Sequence, residues 1–265
     1  MSGAYYNEND EDKAAWLREL IRTGVIAAGE VDTRSISAVW PEDLAGFSQH
    51  HFFAGIGVWS YALRLAGWPD DRPVWTGSCP CPSFSAAGKG GGFDDPRHLW
   101  PDWARLIRKC RPATVFGEQA DDAIGYGWLD LVQTDLERED YAVGKAVLGA
   151  CSVGAPHIRQ RLWFVAHANR WRLTQTSLRE STFNQKRNMA SYQQSWKSIR
   201  YQTGTGIEPS WKGGFSGISN FPRMDDGLAV RVCIMRGYGD AICAEVAKVF
   251  IEASTMQTER AVSLD

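Results

Sequence analysis

Apolar residues recur along this chain with two different periods, which predict short strands alternating with helices. Spacings of three and four residues predict a helix that is capped by Asp10 or Asn9 and ends at Gly24, and further helices over residues 59–65, 99–109, 128–136 and 240–253. Short apolar runs predict strands over residues 4–7, 50–54, 73–76, 112–116, 141–148 and 162–167. The alternation predicts an α/β fold with a doubly wound, mostly parallel sheet.

Four turns follow predicted strands or lie between them, and each contains residues suited to chemistry. They are residues 53–57, 80–81, 117–119 and 157–161. Ligands of doubly wound sheets bind at the carboxyl ends of the strands. We therefore expect the four turns to meet at one edge of the sheet.

Cys81 lies in a stiff turn between two prolines. Pro80 has a fixed φ and no N–H group, and Pro82 disfavours a helical conformation at Cys81. Such a turn is suited to presenting a nucleophilic thiol, although a buried, inert cysteine has the same local pattern. The other turns expected at the same edge favour the nucleophile.

Composition narrows the class of protein. The chain has 265 residues, enough for one large domain or one domain with a small appendage. Its six cysteines do not indicate a disulfide framework, and Cys79 and Cys81 have no second Cys/His pair at a zinc spacing, so no metal is expected. No apolar stretch is long enough for a membrane span, and the polar N-terminus is not a signal peptide, which predicts a cytoplasmic protein.

Positive charge is concentrated in one segment, although the whole chain has a net charge of −2. Residues 170–212 contain eight Lys or Arg against Glu180 and Glu208, interleaved with aromatic residues. This pattern suits contacts with phosphates and base edges, and it also suits a solvated loop with packing aromatics.

The order of several motifs resembles that of the DNA cytosine-carbon-5 methyltransferases. These motifs are Phe53-Ala54-Gly55-Ile56-Gly57, Pro80-Cys81, Phe84-Ser85, Glu118 and Arg159-x-Arg161. The resemblance covers residues 5–167 and 222–253. It implies a Rossmann-like catalytic domain that uses S-adenosylmethionine (residues 1–167 and 222–265) and a small target-recognition region (168–221) for double-stranded DNA.

The resemblance also implies roles for individual residues. In catalysis, Cys81 would add to carbon 6 of a flipped cytosine, Glu118 would bind ring nitrogen 3 and the exocyclic amine, Arg161 would hold the carbonyl oxygen at position 2, and Arg159 would support the loop and the DNA backbone. Implied cofactor contacts are Phe53, Ala54, Gly55, Ile56, Gly57, Glu8, Glu30, Pro80, Asp240 and Ala241. Implied DNA contacts are Ser85, Arg97, Arg170, Arg172, Lys186 and Arg187.

The spacing of the motifs is unusual for that family. Only 28 positions separate Phe53 from Cys81, too few for the two strand–helix units that the family has there. We interpret residues 1–48 as those units, moved in front, with Glu8 and Glu30 as their acidic residues. The alternative is an unrelated helical cap. The compact, permuted chain suggests a phage or prophage protein, monomeric and located in the host cytoplasm.

Several residues differ from the family pattern. They are His51, Pro82, Gln119, His157 and Asp240. Because the thiol, the acid and both arginines are present, we predict an active DNA methyltransferase. An RNA methyltransferase of the same fold and a non-catalytic DNA-binding relative are the alternatives.

Overall fold

Seven strands form one sheet in the part of the chain that the structure describes. The structure, a computed structural model, describes residues 3–80, 98–155, 157–168 and 241–262, with residues 256–262 described by their backbone alone. The strands are β1 (Ala4–Asn7), β2 (Gly29–Asp32), β3 (Gln49–Phe52), β4 (Val74–Gly77), β5 (Thr114–Ala120), β6 (Tyr141–Gly149) and β7 (Gln160–Ala168). Their order across the sheet is β2-β1-β3-β4-β5-β7-β6.

The sheet is parallel except at one end. Strands β1 to β5 run parallel to one another, whereas β7 is antiparallel to both β5 and β6. Every residue of β1, β3 and β4 is buried, as expected for strands that are covered on both faces. The predicted doubly wound, mostly parallel α/β sheet is confirmed.

Helices cover both faces of the sheet. They are α1 (Glu11–Arg22), α2 (Val58–Leu65), α3 (Trp100–Cys110), α4 (Trp128–Arg138) and α5 (Ala244–Val262). One core contains Trp103 of α3 and Phe164 of β7; the other contains Trp59 of α2 and Phe250 of α5. None of these described helices is long and apolar enough to cross a membrane.

The first strand lies inside the sheet and the second forms one of its edges. β1 pairs with β2 on one side and with β3 on the other, so that Tyr6 is in register with both Val31 and His51. Between them, α1 begins at a cap in which the Asp10 carboxylate accepts from two backbone N–H groups, and the chain turns at Gly24 (φ +71°). Residues 4–7 and 29–32 are thus part of the sheet.

His51 is a buried, neutral residue of this sheet. Its Nδ1 lies 2.8 Å from the Thr76 hydroxyl of β4, and its ring stacks on Tyr6 of β1 at 4.8 Å. Burial lowers the pKa of His51 to about 3, so the imidazole carries no charge at neutral pH. Its role is to join three neighbouring strands.

Several element boundaries differ from the prediction. β5 extends through Ala120 and β7 begins at Gln160, because the two strands pair as far as Ala120 and Arg161. The prediction had β5 end at residue 116, with residues 117–119 in a turn. β3 ends at Phe52 because Phe53 has a φ of +51°, which no strand residue adopts. The last helix begins at Ala244, later than predicted.

Gly117 allows Phe164 to pack directly against β5. A Cβ at this position would overlap the Phe164 ring, which is enclosed by Trp100, Trp103 and Trp128. We expect Gly117→Ala to lower the free energy of unfolding by about 1–3 kcal/mol, because overpacking forces the ring or the backbone to move. Urea unfolding of the variant and the unmodified protein measures the difference.

Gly125→Ala is the matched control. Gly125 has a φ of −63°, and an added Cβ would meet the Asp122 carbonyl oxygen at an ordinary 3.5 Å. We expect a change of less than about 1 kcal/mol. An equal loss of stability in both variants would contradict the packing explanation.

Candidate active site

The carboxyl ends of the parallel strands carry the predicted site residues to one edge of the sheet. Glu8 follows β1, residues 53–57 follow β3, Pro80 follows β4, and Glu118 lies near the end of β5. Because β7 is antiparallel, its first residues lie at the same edge, where Arg161 is in register with Ala120. The structure thus brings the described parts of all four predicted turns together.

A strained glycine turn connects β3 to α2. Phe53, Gly55 and Gly57 all have positive φ values, of 51°, 56° and 81°. The Gly55 N–H donates to Glu8 Oε2 (2.7 Å), and the Asp10 N–H donates to Glu8 Oε1 (3.0 Å). A buried carboxylate that accepts two backbone bonds is held in one orientation, so Glu8 fixes the turn to the end of β1.

The turn leaves space at Gly55 and none at Gly57. Among the described residues, a Cβ on Gly55 would have only the Phe53 carbonyl oxygen within reach, at 4.0 Å. A Cβ on Gly57 would lie 3.1 Å from Leu17 and 3.2 Å from Ile26. Gly57 therefore serves packing against α1, while Gly55 leaves room for a ligand to approach the backbone.

Glu30 does not lie beside Glu8. It is exposed and pairs in register with Tyr5, two residues before the end of β2. Asp32 occupies that end, where its carbonyl accepts from the Glu8 N–H (3.0 Å) and its carboxylate accepts from Tyr5 Oη (2.6 Å). The sequence pattern alone could not give the register that separates Glu30 from this corner.

Glu118 is a buried acid with a basic neighbour. The residue is 7% exposed, and its Oε1 atom lies 3.1 Å from Arg161 Nε. Burial raises the pKa of Glu118, and Ser78, Arg161 and Arg159 oppose that rise by favouring the charged form. A buried acid whose pKa is perturbed by burial and by specific neighbours is a candidate for acid–base chemistry.

Arg159 and Arg161 approach Glu118 from the same hairpin but make different contacts. Arg161, on β7, forms the ion pair with Glu118. Arg159, just before β7, has a φ of +32° and donates from Nη2 to the Ala241 carbonyl oxygen (2.7 Å). Arg159 thus links the hairpin to the segment that leads into α5. The contact of Ala241 is made by its backbone carbonyl oxygen.

The turn that leads toward Cys81 is held from two sides. Gln119 Nε2 donates to the Cys79 carbonyl oxygen (2.9 Å), which ties the turn to β5. Trp59 Nε1 donates to Ser78 Oγ (3.1 Å), which ties it to α2. Sequence reasoning assigned no role to Ser78 or Trp59, because only the pairing of β4 with β5 and the packing of α2 reveal their neighbours.

Other predicted site residues lie outside the described residues. They are Cys81, Ser85, Arg97, Arg170, Arg172, Lys186, Arg187 and Asp240. Within the described ranges, no group of three or more His, Cys, Asp or Glu is arranged to hold a metal ion.

Sequence comparison gives the family. The profile described as C-5 cytosine-specific DNA methylase matches residues 67–212, more than half of the chain. The chain belongs to this family. The family predicted from the motifs is therefore confirmed, and the matched region begins after α2, so that β1, β2 and β3 lie before it.

Curated relatives of this methylase resemble parts of it. It is 31% identical over 103 residues to the type II methyltransferase M.HhaI of Haemophilus parahaemolyticus, covering 37% of this chain and 32% of the relative. It is 25% identical over 167 residues to M.SsoII of Shigella sonnei, covering 60% of this chain and 44% of the relative. The chain thus spans less than half the length of these relatives.

Solved structures of methyltransferases are also similar. Dnmt2 of S. pombe superposes with a TM-score of 0.40 at 12% identity, over 63% of this chain and 50% of that one. The methyltransferase EhMeth of Entamoeba histolytica superposes with a TM-score of 0.38 at 11% identity, over 65% of this chain and 55% of that one.

Proposed function

We propose that this methylase transfers a methyl group from S-adenosylmethionine to carbon 5 of a cytosine in double-stranded DNA. Cys81 forms a covalent bond to carbon 6 of the ring, which turns carbon 5 into a nucleophile. After methyl transfer, loss of the proton on carbon 5 expels the Cys81 thiolate and restores the aromatic ring. The family match and the arrangement of Glu118 and Arg161 support this proposal.

The contact that carries the proposal is the ion pair of Glu118 and Arg161. It joins the buried carboxyl group of Glu118 on β5 to the guanidinium group of Arg161 on β7, next to the turn that leads toward Cys81. A cytosine offers a ring nitrogen and an exocyclic amine beside a carbonyl oxygen. Glu118 can bond the first two groups and Arg161 the third, so the pair matches the edge of this base.

Glu118 supplies or shares a proton when the thiolate adds. Addition at carbon 6 places negative charge on the ring, and a proton held at nitrogen 3 neutralises it. Burial favours the protonated form of Glu118, which is the form able to donate. Arg161 stabilises the charge that develops on the carbonyl oxygen.

The residues at the glycine turn fit the proposed cofactor. No described residue fills the space beside Gly55, and each Glu8 carboxylate oxygen, which accepts one bond from a backbone N–H group, has a further lone pair that can accept a bond from a ribose hydroxyl. The Phe53 ring, half-buried against Trp103, offers an aromatic surface at the same place. When bound, S-adenosylmethionine supplies an activated methyl group on its sulfonium.

Access to carbon 6 requires the cytosine to leave the base stack. A side chain cannot reach this atom inside a duplex, and enzymes that modify bases take them out of the helix. We assign recognition of the flanking DNA to residues 168–221, on the basis of their basic and aromatic composition.

We also infer that the chain order is permuted relative to the family. β1 and β2 then act as the family's second and third strands, moved in front of its first strand, β3. The position of β1 between β2 and β3, and the bond from Gly55 to Glu8, support this interpretation. A phage or prophage origin, a monomeric state and a cytoplasmic location stay predictions.

Bisulfite sequencing of DNA from cells that express the chain tests the proposed function. We expect protected cytosines at one short sequence, absent from cells without the gene. In vitro, duplex DNA and tRNA are offered with labelled S-adenosylmethionine, and label is expected in the DNA alone. Label in tRNA alone would favour the RNA enzyme, and label in neither, with DNA still bound, would favour the non-catalytic relative.

A further inference from the structure

Ser78 and Glu118 occupy neighbouring positions at the carboxyl ends of two parallel strands. β4 ends at Gly77, which pairs with Gly117 of β5, so Ser78 directly follows β4 and lies next to Glu118. The two glycines face Trp103 and Phe164 on one side of the sheet. Because side chains alternate along a strand, Ser78 and Glu118 both face the other side, where α2 packs.

Trp59 determines how the Ser78 hydroxyl is used. The indole N–H can only donate, and it donates to Ser78 Oγ at 3.1 Å. The single hydrogen of the hydroxyl therefore remains available for another acceptor. The Glu118 carboxyl group lies at the adjacent position on the same face of the sheet, and Ser78 favours its charged form, so we infer that Glu118 is that acceptor.

We propose that Ser78 is a positioning residue for Glu118, linking its carboxyl group through Trp59 to the helix that begins at the glycine turn. This inference rests on the proposed function, in which Glu118 contacts the base. Trp59 is the second residue of α2, two positions after Gly57. The link thus connects the proposed cofactor site to the proposed acid through Trp59 of α2 and Ser78, which directly follows β4.

The link also affects the charge of Glu118. The charged groups that act on this carboxyl among the described residues are Arg161 of β7 and Arg159 just before it. Trp163 of β7, which is in register with Glu118, and Ser78, which directly follows β4, are uncharged. A hydroxyl that donates to a carboxylate favours its charged form, so Ser78 opposes the effect of burial.

Direct titration of Glu118 tests the inference without any methyl transfer. Protein labelled with ¹³C at the glutamate carboxyl carbon is titrated by NMR, and the Glu118 signal is assigned by its loss in Glu118→Gln. We expect Ser78→Ala to raise the pKa of Glu118 by about one to two pH units, because a hydrogen bond to a charged group is removed. Trp59→Phe is expected to raise it less, since the hydroxyl remains but is no longer oriented.

Two further variants complete the experiment. Ser78→Thr retains a hydroxyl and is expected to retain the original pKa. Ser37→Ala removes an exposed hydroxyl that contacts Asp102 on α3 and is expected to leave the Glu118 titration unchanged. An unchanged titration in Ser78→Ala would overturn the inference.

The methylation assay separates this inference from the proposed function. If the protein methylates DNA, the activity of Ser78→Ala is expected to persist to higher pH than that of the unmodified protein, by the same amount as the pKa changes. If it methylates neither DNA nor RNA while the Glu118 titration moves in Ser78→Ala, the proposed function fails and the link between Ser78 and Glu118 stands. If the protein methylates DNA and the pKa of Glu118 is unchanged in Ser78→Ala, the proposed function stands and the inferred role of Ser78 fails.

Discussion

Replacing Cys81 by alanine is expected to abolish both methyl transfer and the covalent complex with DNA. DNA that contains 5-fluorocytosine traps the adduct, because after methyl transfer carbon 5 carries fluorine and methyl but no proton, so the elimination that expels Cys81 cannot occur and its bond to carbon 6 persists. Without a thiolate, carbon 5 stays unreactive and no bond to the ring forms. Denaturing electrophoresis of the protein after incubation with this DNA and S-adenosylmethionine measures the complex.

Cys151→Ala is the control for this experiment. Cys151 is a free, exposed cysteine in the hairpin between β6 and β7, and sequence reasoning assigned it no catalytic role. We expect this variant to form the complex at the level of the unmodified protein. A covalent complex that survives in Cys81→Ala would exclude Cys81 as the nucleophile, and its absence from the unmodified protein would contradict the mechanism.

Glu118→Gln is expected to lower the rate of methyl transfer by about 10²–10⁴-fold, the usual contribution of a positioned proton donor. The amide keeps the shape of the side chain but cannot transfer a proton to ring nitrogen 3. Burial raises the pKa of Glu118, and the donating form is present below that pKa. The unmodified protein should therefore lose activity as the pH rises through this value, while the residual activity of the variant should not follow the same curve.

Glu139→Gln is the matched control for charge and ion pairing. Glu139 Oε1 lies 2.9 Å from Arg108 Nε and its Oε2 lies 2.7 Å from Arg111 Nη1, after the end of α4. Rates measured from pH 6 to 9 for both variants distinguish a specific role from a general loss of charge. Equal rates for Glu118→Gln and the unmodified protein across this range would exclude Glu118 as the proton donor.

The glycine turn and the helix cap could be predicted from the sequence because both depend on local geometry. A run such as Phe53 to Gly57 permits positive φ values that most other sequences do not, and three of its residues adopt them. The Asp10 cap of α1 is equally local. Features of this kind involve residues that are close in sequence, so a pattern of residue types is sufficient.

The extent of β5 could not be predicted in the same way. Residues 117–119 look like a turn, because Gly117 and two polar residues follow an apolar run. In the fold, pairing with β7 continues through them, and Phe164 fills the space that Gly117 leaves. Glu118 therefore lies in a strand, buried beside Ser78, which no local pattern indicates.

The periodicity of apolar residues was enough to predict the α/β class, and the order of short motifs was enough for the resemblance that implied the family and the site residues. Which residues are neighbours depends on the folded chain, because register and packing join positions that are far apart in sequence. The tertiary structure placed Glu8 rather than Glu30 against Gly55, paired Glu118 with Arg161, and joined Trp59 to Ser78.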